Sequence, residues 1–95
     1  MQKQEDTEAK VLYLYKEAMM KYPVLDAKAT GAHIKELRIQ LNIKVSDLAQ
    51  YMGFESEQAI YKWQRGESLP TVDNLYALSK LFNVPVDEIL IGTDR

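Results

Sequence analysis

Apolar side chains recur at three- and four-residue steps in one stretch after another, and no useful length shows the two-residue alternation of a strand. The pattern predicts an all-α chain of six helices. The first runs from about Thr7 to Tyr22, where Val11, Leu12, Tyr15, Ala18, Met19 and Tyr22 share a wide stripe. Lys10, Glu17 and Lys21 take the other face. Residues 1 to about 5 read as frayed. Asp6 or Thr7 can cap the start, and Pro23 ends the helix because the residue before proline is biased away from helical backbone. Leu12, Tyr15, Met19 and Tyr22 also fit an a/d seam over two heptads. The helix therefore either packs back on its own domain or meets a second copy.

Residues 24–29 read as a connector, which divides the chain into an N-terminal helix and connector (1–28) and a five-helix domain (29–95). Thr30 is the expected N-cap of the next helix, with Ile34, Leu37 and Leu41 as its apolar stripe. A short helix follows from about Val45 to Met52, burying Leu48, Ala49 and Met52 and closed by Gly53. Ser56 is the expected cap of a polar helix that Gly66 ends. Within that helix Ile60 and Trp63 point to the core, and most other side chains face outward. Pro70 directs the chain into a longer helix, with Thr71 as cap and Asp73 in the positive first turn. Leu75, Leu78, Leu81 and Phe82 are its buried stripe, and Asn83 breaks it. A last helix is expected over Val86 to Ile91, ended by Gly92.

Composition narrows the function. Hydrophobic residues make up 46%, enough for one core in 95 residues. There is no cysteine, so no disulfide or thiolate metal site, and the single histidine, His33, cannot build a zinc site. No apolar run approaches the roughly 18 residues of a membrane span, and the polar, acidic start is unlike a signal peptide. A cytoplasmic protein without membrane partner, metal or cofactor is expected. No P-loop, His-x-x-x-His pair, nucleophile elbow or glycine-rich phosphate loop is present, so no enzyme is expected. No ligand-binding domain is visible, and no small-molecule ligand is expected. The net charge of −2 and pI near 5.3 contrast with the pI above about 9 of strongly basic nucleic-acid binders. Local charge on one face, rather than the total, decides encounter.

From Gly31 to Gly92 the sequence resembles the XRE or Cro-like helix-turn-helix family of phage-repressor-like bacterial regulators. The matching pieces are Gly31-x-x-Ile34-x-x-Leu37-Arg38, Leu48-Ala49-x-x-x-Gly53, Ile60-x-x-Trp63-x-Arg65-Gly66, Pro70, and Val84-x-Val86-x-x-Ile89-Leu90. Each is weak alone; together, in this order, they are specific. The resemblance implies a five-helix lambda-repressor-like DNA-binding domain, here with an additional N-terminal helix. It implies that the domain's third helix, about 56–65, reads the major groove of double-stranded DNA as part of a homodimer on a palindromic operator.

Three departures stand out. The interval from Gly53 to Ile60 is one residue longer than the commonest family spacing, near Phe54-Glu55. Lys44 and Val45 stand where many relatives have Thr-Gln, a cap and a phosphate-binding amide; Val45 cannot hydrogen-bond a phosphate, and Lys44 can supply a cation instead. Gln64 replaces the glutamate of Trp-Glu-Arg-Gly, and the expected acceptor for Arg38 is then the Gln64 carbonyl.

The resemblance places base contacts at Glu57, Gln58, Tyr61 and Lys62, and the side-chain chemistry agrees. Gln58 can pair with adenine, Lys62 with guanine O6 and N7, and Glu57 can accept from a cytosine amino group, each worth roughly 1–3 kcal/mol of discrimination. Tyr61 can touch a thymine methyl or a phosphate. Lys44, Ser56 and Arg65 are the phosphate candidates, which position without specifying. Arg38, Gln64, Ile60 and Trp63 are expected to be structural. Against the regulator reading stands a protein-interaction module or antitoxin-like partner of the same fold with weak or no DNA binding, which the acidic balance and Val45 favour.

Overall fold

The computed structural model describes residues 2–93, and the side chains from Thr7 onward. It contains six helices and, among the described residues, no strand: α1 Gln2–Met19, α2 Ala27–Gln40, α3 Val45–Met52, α4 Gln58–Arg65, α5 Val72–Phe82 and α6 Val86–Ile89. The core joins Ile34 of α2, Leu48 and Ala49 of α3, Ile60 and Trp63 of α4, Leu75, Leu78 and Phe82 of α5, and Ile89 of α6. Ile34, Leu48, Ile60, Leu78 and Ile89 are fully buried. Burying such side chains contributes about 1.5–3 kcal/mol each, and all five helices of the domain supply at least one.

The tightest joint lies between α2 and α4. Gly31 sits where a Cβ would come within 1.9 Å of the Trp63 carbonyl oxygen. Only a hydrogen at that position lets the two backbones meet. Gly66 repeats the constraint at the far end of α4. Its φ of +76° closes the helix in left-handed backbone, and a Cβ there would lie 2.6 Å from the Lys28 Cα. α2 thus fixes both the depth and the end of α4.

Several expected helix ends move. α2 begins at Ala27, not Thr30, because Asp26 is its cap and accepts the Ala29 N–H at 2.9 Å. Thr30 lies inside the helix, fully buried. Its hydroxyl accepts the Ile91 N–H at 2.9 Å and donates to the Ile91 carbonyl at 3.3 Å. This clasp explains why the last helix stops at Ile89 rather than Ile91. Leu90 is extended, Asp26 N–H reaches the Ile91 carbonyl at 2.8 Å, and Gly92 forms an isolated antiparallel bridge with Leu25 instead of capping a helix.

At α5, Thr71 holds the N-cap backbone position but its hydroxyl does not cap. It donates instead to the Asp73 carboxylate. That hydrogen bond, opposed by partial desolvation and aided by the backbone amides of Asn74 and Asp73, holds the Asp73 carboxyl below its usual range. Leu81, expected in the buried stripe, is only half-buried, whereas Asn83 ends the helix in left-handed backbone at φ +58°.

α1 differs from the rest. It starts at Gln2 and ends at Met19, so Thr7 lies inside it and Tyr22 beyond it. The expected cap by the Asp6 side chain, and the tail residues Asp94 and Arg95, lie outside the described positions. No other helix packs substantially against α1, and Leu12, Tyr15, Met19 and Tyr22 are all exposed. Packing of this helix on its own domain is therefore not what the structure shows. The described chain is correspondingly elongated, 60 × 23 × 21 Å.

The α2–α4 joint yields a direct comparison. Gly31→Ala should lower stability by about 3 kcal/mol, the upper end for overpacking, read as a fall in the urea midpoint. Gly53→Ala meets nothing within 4 Å and carries only the strain of φ +78°, so it should cost about 1–2 kcal/mol. Equal losses would mean that α2 and α4 can separate cheaply.

Candidate nucleic-acid interface

α3 and α4 form two short helices joined by the turn 53–57. Gly53 ends α3 in left-handed backbone, and the Phe54 N–H returns to the Ala49 carbonyl at 2.9 Å. The Phe54 ring then packs edge-on against Trp63, with centroids 5.7 Å apart. This pins the turn to the core at Phe54 and leaves Glu55 to Glu57 as an outward bend.

α4 is held from one side and open on the other. Ile60 and Trp63 are buried, three residues apart, while Gln58, Tyr61, Lys62 and Arg65 are exposed and Glu57 is half-buried. The helix proper begins after Glu57, one residue later than a Ser56 cap places it. Ser56 Oγ still accepts the Gln58 N–H, at 3.4 Å. The exposed residues are not all unpaired. The Tyr61 hydroxyl donates to the Glu57 carboxylate at 3.3 Å, and the Arg65 guanidinium pairs with Glu67. That pair raises the Arg65 pKa and lowers that of Glu67. For Glu67 the hydrogen bond from Arg65 is the main cause, with the charges of Arg65 and Lys62 adding to it against partial desolvation.

On the core side, Arg38 Nε donates to Gln64 Oε1 at 3.0 Å, and a terminal nitrogen of the same guanidinium reaches the Ile43 carbonyl at 2.9 Å. One arginine thus links α2, α4 and the loop that leads into α3. Lys44 is exposed at the start of α3, where no side chain caps the helix. His33 stands apart from this face; its Nε2 donates to the Glu88 carbonyl at 2.8 Å and ties α2 to α6.

The structure therefore gathers Ser56, Glu57, Gln58, Tyr61 and Lys62 on and beside one short helix, and sets Arg65 near its end. Ser46 and Gln50 of α3 line a shallow hollow together with Glu55, Ser56 and Glu57. Sequence reasoning passed over these two. Their four-residue spacing, opposite the buried Leu48, is the signal that marks them. Glu67 was likewise missed as the partner of Arg65.

Two short helices, the second pinned by its own core residues across a first helix and bearing a polar outer face, define a helix-turn-helix domain. The helix-turn-helix family profile matches residues 34–89, more than half of the chain, and the chain belongs to this family, of Cro/C1 or XRE type. A curated relative, the HTH-type transcriptional activator BcrR of Enterococcus faecalis, is 34% identical over 61 residues. That match covers 64% of this chain but 29% of the relative, so the chain spans less than a third of that protein's length. Among solved structures, the P22 c2 repressor protein in complex with a synthetic operator is 35% identical, with a TM-score of 0.58 over 63% of this chain and 89% of that one. The DNA-binding domain of BldD from S. venezulae is 25% identical, with a TM-score of 0.59 over 70% of this chain and 97% of that one. The fold is the lambda-repressor-like all-α domain that these share. Among the described residues no helix is long and apolar enough to cross a membrane.

Two measurements probe the site's internal contacts. Gln64→Glu should keep or raise the melting temperature, because the Arg38 bond becomes charge-assisted, whereas Gln64→Leu should cost about 1–2 kcal/mol by leaving a half-buried guanidinium short of an acceptor. A lower melting temperature for Gln64→Glu would contradict a structural role for Gln64. The Glu67 carboxyl, with its folded pKa depressed, stabilises the folded state above its unfolded pKa and loses that contribution as pH falls through the folded value. An NMR titration should therefore place its midpoint below the ordinary glutamate value of about 4.3 and move it up toward that value in Arg65→Gln. An unmoved midpoint would break the pairing argument.

Proposed function

We propose that this chain is a DNA-binding transcriptional regulator in which α4 enters the major groove, acting as a homodimer on a palindromic operator. The observation that carries the reading is the two-sided build of α4. Ile60 and Trp63 bury it against α2, and Gln58, Tyr61 and Lys62 are exposed on the outside. Family membership and the likeness to a repressor solved with its operator support it, as does the activator named among the relatives.

In this reading Gln58 and Lys62 read adenine and guanine edges. Glu57 is held by Tyr61 in the free protein, and either that contact opens to free Glu57 for a cytosine amino group, or Tyr61 alone meets the DNA. Ser56, Lys44 and Arg65 contact phosphate. Arg65 must first leave Glu67, an exchange of one exposed ion pair for another that costs little in water. Few phosphates are neutralised per subunit, so affinity relies on joining two half-sites.

A second reading has a specific observation behind it. Glu55, Glu57 and Glu67 match in number the cations Lys44, Lys62 and Arg65, and Arg65 is already paired with Glu67. An interaction module of the same fold that binds a protein rather than DNA would tolerate this.

Selection from a random duplex pool at low salt separates the two. A regulator enriches a two-fold symmetric site and binds it with steep salt dependence. On that site Lys62→Ala and Gln58→Ala should each lose about 1–3 kcal/mol and relax preference at one base. Arg65→Ala should weaken all sequences alike and reduce the salt slope by about one. No enrichment and no salt-dependent binding would leave the interaction module as the reading.

A further inference from the structure

We propose that α1 is a self-association helix that pairs antiparallel with α1 of a second copy of this chain. α1 has 18 residues and spans about 27 Å. Most helix stability in proteins comes from tertiary packing of an apolar face, yet none of the domain's helices packs substantially against α1. Val11, Leu12, Leu14, Tyr15 and Met19 are each 60–70% exposed. At 100° per residue these five, with Ala18, form one stripe covering nearly half of the helix circumference. An apolar stripe of this width in water marks a contact surface rather than a solvated face.

Charge selects the occupant and its direction. Among its first nine residues the chain carries Lys3, Glu5, Asp6 and Glu8; from there to the end of the segment it carries Lys10, Lys16, Glu17 and Lys21. The first half is net acidic and the second net basic. In a single helix this is an ordinary complement to the macrodipole. In a pair it also decides orientation. Same-side flanks face each other in an antiparallel pair. With the helices crossing at Leu12, Glu8, one turn before Leu12 within the stripe, comes level with Lys16 of the second copy at the stripe's edge, and the contact occurs twice by symmetry. A parallel pair would set the acidic halves side by side and the basic halves side by side. Antiparallel pairing also opposes the two macrodipoles. It places the two globular domains at opposite ends of the helix pair. The pairing does not rest on the DNA-binding reading.

The test uses the full chain, which has no native cysteine. Sedimentation equilibrium should show a dimer at micromolar concentration and a monomer for Leu12→Lys. The melting of the α2–α6 domain should be unchanged in that variant, since none of its helices packs substantially against α1. Glu8→Lys and Lys16→Glu should each weaken the dimer about threefold or more, and the double swap should restore it. Single cysteines fix the direction. Leu12→Cys should cross-link to itself, while Glu8→Cys should cross-link only when mixed with Lys16→Cys. A monomeric parent chain, a Leu12→Lys chain that remains dimeric, or self-cross-linking by Glu8→Cys would each overturn the proposal. Because none of these readouts uses DNA, their failure is distinct from a failure of the DNA-binding reading.

Discussion

The contact on which the domain depends is the one between the α2 backbone at Gly31 and the α4 backbone at the Trp63 carbonyl. With no Cβ at Gly31, α4 can lie directly on α2, and the indole of Trp63 and the side chain of Ile60 reach the core beneath. Other features of the site follow from that seat. Lys28 passes at backbone distance from Gly66 only because Gly66 has no Cβ. Arg38 is within 3.0 Å of Gln64 because the two helices are this close. The residues left on the outer side of α4 are then fixed by helical geometry.

The outer face is electrostatically balanced rather than basic. Lys44, Lys62 and Arg65 are accompanied by Glu55, Glu57 and Glu67, and the Arg65–Glu67 pair is already closed. Such a face attracts a polyanion weakly and is better suited to discriminate than to hold. If binding strength comes from two subunits, a surface that joins them is required, and α1 is the described helix with the most exposed large apolar side chains.

The helical elements were legible in the sequence because each apolar stripe obeys one period, and the buried identities of Ile34, Leu48, Ile60, Trp63, Leu78 and Phe82 follow from it. Less legible was anything that depends on two distant segments meeting. Thr30 has the local look of an N-cap; its burial against Ile91 requires the C-terminal segment to return beside residues 24–26, and no local pattern encodes that. Asp26 was overlooked for the same reason, as it sits in a stretch that reads as connector. In the candidate site, the outward set Gln58, Tyr61 and Lys62 was visible from spacing against Ile60 and Trp63. The Tyr61–Glu57 and Arg65–Glu67 pairs were not, since each depends on side-chain conformations that spacing leaves open. The exposure of α1 could not be decided either, because a wide stripe fits cis packing and self-association equally well.

The central claim is that the free side of α4 meets DNA. The most direct measurement is an amide and side-chain chemical-shift map of the labelled full chain titrated with a duplex selected for tight binding. The account predicts the largest changes at Gln58, Tyr61, Lys62 and Arg65, with smaller ones at Lys44, Ser46 and Ser56, and little change along α1. Changes centred on another surface, with α4 unperturbed, would contradict it.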